Sequence, residues 1–116
     1  MIVDDEPEIR AILTEVVSRV GAIALEASKA TDAITQIETY RVDLLLLDIQ
    51  MQGASGIDLL RLMRRRHLRV PTIVISAFVS GDMAANLAQL GVNGIVAKPF
   101  TPNRIAQEID KVLDRT

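Results

Sequence analysis

Leu44-Leu45-Leu46-Leu47-Asp48-Ile49 is the stretch on which the fold turns. Four leucines in a row show no apolar–polar alternation, so a strand built from them must be covered on both faces. Strands covered in this way belong to parallel sheets with helices on either side. A second such run, Thr72 to Ile75, follows Pro71, and shorter ones lie at Met1 to Val3, Ala22 to Ala27 and Ile95 to Ala97.

Between these runs the apolar spacing changes to three and four residues. Ile9, Ile12, Leu13, Val16, Val17 and Val20 make one helical stripe, entered at Pro7 and stopped by Gly21. Ala30, Ala33, Ile34 and Ile37 make a second, with Ser28 as its expected cap. Leu59, Leu60, Leu62 and Met63 make a third, opening at Ser55 or Gly56. An alanine-rich helix is expected from about Asp82 to Leu90, stopping at Gly91. Thr101 and Pro102 open a last one carrying Ile105, Ile109, Val112 and Leu113. Five strand–helix units in alternation predict an α/β protein with a parallel sheet between helical layers. The 116 residues suit one domain, expected to span 1–116.

Hydrophobic residues at 49% and charged residues at 24% are those of a globular chain, which argues against disorder. The net charge of −2 gives no general attraction to nucleic acid or anionic membrane. With no cysteine there is neither a disulfide framework nor a cysteine-based zinc site. No apolar run approaches the roughly 20 residues that span a bilayer. Asp4, Asp5 and Glu6 argue against a secretory leader, so a cytoplasmic location is expected.

In open parallel sheets the functional crevice lies outside the carboxyl ends of the strands. The first expected strand ends in Asp4 and Asp5, the third in Asp48, the fourth in Ser76 and the fifth in Lys98. Singly these are weak signals: an Asp there is most often a turn or cap residue, and a Ser bonds local backbone. Together they place three carboxylates, a hydroxyl and an ammonium on one edge. Clustered carboxylates repel, and burial raises the cost of ionising them. A hard divalent cation such as magnesium, which takes oxygen ligands, removes that problem. A carboxylate beside it is a competent phosphoryl acceptor.

The residues that carry this chemistry also carry a resemblance. Val3-Asp4-Asp5-Glu6, Leu46-Leu47-Asp48-Ile49-Gln50-Met51, Gly53 with Gly56, Val74-Ile75-Ser76-Ala77 and Lys98-Pro99-Phe100 span nearly the whole chain. In these stretches and their spacing the chain resembles the receiver domains of two-component response regulators. The resemblance implies a flavodoxin-like doubly wound sheet of five parallel strands, order 2-1-3-4-5. It implies Asp48 as phosphoacceptor, with a sensor histidine kinase or histidine phosphotransfer protein as donor. Mg2+ would be held by Asp5 directly, Asp4 through water, Asp48, and the backbone carbonyl of Gln50. Lys98 would pair with Asp48 at rest and with a phosphoryl oxygen afterwards. The Ser76 hydroxyl and the Ala77 N–H would hold other phosphoryl oxygens, and Lys98-Pro99 would be cis. A DNA-binding or enzymatic output domain, or a homodimer, is a further expectation.

Two departures accompany the likeness. Ile95 stands where the family usually has Tyr or Phe, and Gln52 where Pro is common. Phe78 is a candidate shield for the phosphoryl group. A haloacid-dehalogenase-type phosphatase would need Asp at Gln50, and a dinucleotide-binding domain would need a glycine-rich loop after the first strand. A binding module that never accepts phosphate would typically have lost one of the acidic or basic residues retained here. The run Arg64-Arg65-Arg66-His67 with Arg69 is read as cations at a helix C-terminus rather than as a nucleic-acid contact. The alanine-rich helix with Met83, Leu87 and Leu90 is a candidate partner surface.

Overall fold

The structure, a computed structural model, describes residues 1–50, 56–77 and 80–113. Strands and helices alternate as expected: β1 (Ile2–Val3), α1 (Pro7–Arg19), β2 (Glu26–Ala27), α2 (Ala30–Thr39), β3 (Leu45–Leu47), α3 (Gly56–Arg65), β4 (Thr72–Ser76), α4 (Gly81–Gln89), β5 (Gly94–Ala97) and α5 (Pro102–Val112). The strands form one parallel sheet in the order β2-β1-β3-β4-β5. This is the flavodoxin-like doubly wound arrangement.

Alternate residues of each strand enter opposite layers, as the two-residue period requires. Ile2, Leu46, Ile73, Ile75 and Val96 pack with Leu13, Val16, Ile105 and Ile109 of α1 and α5. Val3, Leu45, Leu47 and Val74 pack with Ile34, Ile37, Leu59, Met63 and Leu87 of α2, α3 and α4. The leucine run is thus buried on both faces, with Leu45, Leu46 and Leu47 at 0–1% exposure.

Several local expectations shift. The second strand is two residues, not six, because it is an edge strand beside an equally short β1 and pairs with nothing else. The cap of α2 is Lys29 rather than Ser28, and it makes no side-chain capping bond. Helix α4 is capped by Ser80, whose hydroxyl accepts from Met83 N at 3.1 Å. Helix α5 opens at Thr101 and Pro102 as expected, with the Thr101 hydroxyl accepting from Arg104 N as its cap. The apolar residues of α4 face inward: Leu87 is buried, and Met83 and Leu90 are half-buried against the core, so they form no exposed apolar face.

Three helices end alike. In α1, α3 and α4 the third residue after the helix donates its N–H to the carbonyl of the helix's antepenultimate residue, as in Ala22→Val17, Leu68→Met63 and Val92→Leu87. The residue before it takes a left-handed conformation, Gly21 at φ 84° and Gly91 at φ 83°. In α3 that residue is His67, at φ 57°, where a side chain costs about 1 kcal/mol. Among the described residues no helix is long and apolar enough to cross a membrane.

Candidate functional site

The turns after β1 and β3 are built in the same way. Asp4 leaves β1 with its N–H on Ala27 O and its Oδ1 accepting from Glu6 N at 2.9 Å. Asp48 leaves β3 with its N–H on Val3 O and its Oδ1 accepting from Gln50 N at 2.9 Å. Each aspartate therefore does the local turn work that a short acidic side chain favours. Each also keeps its Oδ2 free of that turn.

Both remaining oxygens meet one cation. Lys98 Nζ lies 3.2 Å from Asp4 Oδ2 and 3.2 Å from Asp48 Oδ2. The two carboxylate side chains are 1% and 3% exposed and the lysine 13%. Lys98 reaches them because β5 ends beside β4: Lys98 N donates to Ser76 O at 2.8 Å, and the Lys98–Pro99 bond is cis, as the resemblance implied. Burial pushes the Asp4 carboxyl above its usual range, with Asp48 adding to the shift, against the Glu6 N–H and Lys98. Burial works to lower the Lys98 ammonium, but the two carboxylates outweigh it and hold the lysine above its ordinary value.

Glycine makes room for this edge. A Cβ on Gly56 would lie 2.7 Å from Ile49 Cα and 2.8 Å from Asp48 O, so only glycine starts α3 this close to the acidic turn. Ser76, the last residue of β4, is buried, and Ala77 is exposed beside it. Asp5 is half-buried and Gln50 exposed. Met51, Gln52, Gly53, Ser55 and Phe78 lie outside the described residues.

Two residues at this edge were given no role in the sequence analysis. Glu6 Oε1 lies 3.4 Å from Lys98 Nζ, adding a fourth carboxylate. Arg10, on the first turns of α1, donates to Asp4 O at 2.8 Å and pairs with Glu26 of β2 at 3.4 Å. Glu6 was visible in the acidic run. Arg10 carried no signal, since its partners depend on how the helix lies against β2. One oxygen each from Asp4, Asp5, Glu6 and Asp48 falls within 4.8 Å of the others. An all-oxygen, partly buried set of this kind suits a hard divalent cation.

A family model described as the response regulator receiver domain matches residues 1–110. The chain belongs to the response regulator receiver family. It is 35% identical over 118 residues to the chemotaxis protein CheY of Pseudomonas aeruginosa, covering 99% of this receiver and 95% of that protein. It is 34% identical over 118 residues to the phosphate regulon transcriptional regulatory protein PhoB of the same organism. There the match takes in all of this receiver and 52% of the relative. Among solved structures it resembles the signal receiver domain of a putative LuxO repressor protein from Vibrio parahaemolyticus, with a TM-score of 0.92 and 25% identity. That match covers 97% of this receiver and 87% of the other chain.

Proposed function

We propose that this receiver is a phosphorylation-activated switch in which Asp48 accepts a phosphoryl group from a phosphohistidine on a sensor kinase or phosphotransfer protein. One observation carries the reading: two buried aspartates from different strands share a single, partly buried lysine at equal distance. A fold needs no such arrangement, since each charge must be desolvated before it can be paired. Asp48 Oδ2 is the oxygen outside the turn hydrogen bond and the one that attacks phosphorus, while the imidazole nitrogen departs with the electron pair of the broken N–P bond. Lys98 then transfers its charge to a phosphoryl oxygen. Ser76 and the Ala77 N–H receive the others, so the end of β4 is drawn inward. Asp4, Asp5, Asp48 and the Gln50 carbonyl are the proposed holders of Mg2+. That ion, when bound, supplies positive charge that offsets the carboxylates and the incoming phosphoryl oxygens. We place the protein in the cytoplasm, acting through an output domain, a partner or a homodimer, without direct nucleic-acid or membrane binding by residues 1–116.

The test is intact-mass spectrometry after incubation with acetyl phosphate and Mg2+, then with a phosphorylated phosphotransfer protein. The expected result is one phosphoryl adduct, absent from Asp48→Asn and from a chelated sample. Absence of the adduct with both donors would leave a receiver-shaped binding module instead.

A further inference from the structure

The amino edge of the sheet, across the molecule from the acidic cluster, holds the opposite charge. Arg61, Arg64, Arg65, Arg66 and Arg69 lie within nine residues, and without them the chain would have 8 basic and 15 acidic residues, a net charge of −7. Two adjoining hollows, about 710 and 680 Å3, open at the end of α3 and share Arg64 and Leu90. Three of the arginines are engaged: Arg61 with Asp58, Arg66 with Glu38, and Arg64 with the Gln89 carbonyl at 2.6 Å. Arg69 lines the first hollow and Arg65 the second, and neither has an ion-pair partner among the described residues. The helix macrodipole accounts for cations in the last turn of α3, but its influence fades beyond that turn, and Arg69 lies outside it. His67 lines the same rim in the left-handed cap that α1 and α4 give to glycine. Strained positions of this kind concentrate where a side chain is wanted for another reason.

We propose that this edge binds a nucleotide bearing at least two phosphates. The planar guanidinium forks of Arg65 and Arg69 match phosphate oxygens. The half-buried Leu68 and Leu90, with the Arg64 plane pinned by Gln89, offer a partly apolar floor to a flat base. Each hollow is within the size range of small-molecule sites. The site lies on the opposite edge from Asp48, so it does not depend on the phosphoacceptor reading.

The experiment is calorimetric titration of the whole chain with GDP, ADP and UDP separately, in EDTA and about 150 mM salt, a concentration that screens diffuse attraction. Saturable binding by at least one of them is expected. Pyrophosphate and the free nucleoside should bind at least about tenfold more weakly. The exposed pair Arg65→Ala with Arg69→Ala should lose at least about tenfold in affinity with an unchanged circular dichroism spectrum. Asp48→Asn should bind as the parent does. No saturation below about 1 mM by any nucleotide, equal binding of pyrophosphate, or full affinity in the double variant would each overturn the proposal.

Discussion

At the carboxyl edge of the sheet, Lys98 reaches Asp4 and Asp48 across 94 and 50 residues of chain, and all three are largely buried. At the amino edge, Arg61 to Arg69 are neighbours in sequence, and every arginine among them is exposed. The basic run is the denser charge cluster on paper, yet water screens it. The acidic edge, with four carboxylates and Lys98, has no more charges but far stronger coupling at Asp4, Asp48 and Lys98, because little water separates them. Charge density along a chain and electrostatic strength in a fold are therefore different quantities.

The largest test of that contrast is Lys98→Ala. It leaves two buried carboxylates without their cation and should cost about 3 kcal/mol in urea unfolding without metal. Mg2+ should restore part of the loss, and a cost below about 1 kcal/mol would mean the edge is wetter than it looks. Asp48→Asn should cost much less, since it also relieves the repulsion on Asp4.

The amino edge also holds a buried charge. The Met1 ammonium donates to Leu44 O at 2.9 Å, and burial lowers it from 8.0 to about 6, with Asp43 pulling the other way. Its folded value is below its unfolded one, so its stabilising contribution is present above pH 8 and is lost as pH falls through 6. Two units correspond to about 2 to 3 kcal/mol. Asp4 has the opposite sign: its folded value is raised above 3.8, so its contribution is present below that pH and lost as pH rises through the folded value. Comparing urea midpoints of the free and N-acetylated chains between pH 8.5 and 5.5 isolates the amine. Identical pH profiles would show that the amine is solvated.

Gly56→Ala should cost about 2 kcal/mol, because the added methyl group must push Ile49 or the Asp48 carbonyl aside. Thermal denaturation checks it, and a neutral outcome would mean the turn shifts freely. Arg10→Ala should weaken Mg2+ binding about tenfold by loosening the turn that carries Asp4, with Arg10→Lys recovering some of it. Titration with Mn2+ followed by electron paramagnetic resonance reads this directly. At the other end of the scale, Arg65→Ala should change unfolding free energy by less than about 0.5 kcal/mol. A larger loss would show that the basic edge is coupled to the fold.

The sheet order agrees with what the family motifs implied, and the strand positions follow the apolar runs closely except at β2. Ala22 to Ala27 has strand composition along its whole length, but only Glu26 and Ala27 find a partner, because β1 is itself two residues long. Helix starts were less legible. Ser80 and Lys29 both stand before a helix, and only the actual path of the chain makes the first a hydrogen-bonding cap and the second a bare one.

By itself the sequence determined the α/β class, the doubly covered central strands and the acidic and basic residues at their ends. Those are properties of a few neighbouring residues, set by periodicity and by what an apolar run can end on. The tertiary structure alone decided that Asp4 and Asp48 each divide their oxygens between a turn and the same lysine. It also decided that Glu6 and Arg10 join them, and that Gly56 must be glycine. These contacts join residues far apart in the chain, and they form only once the sheet has brought the ends of its strands to one edge.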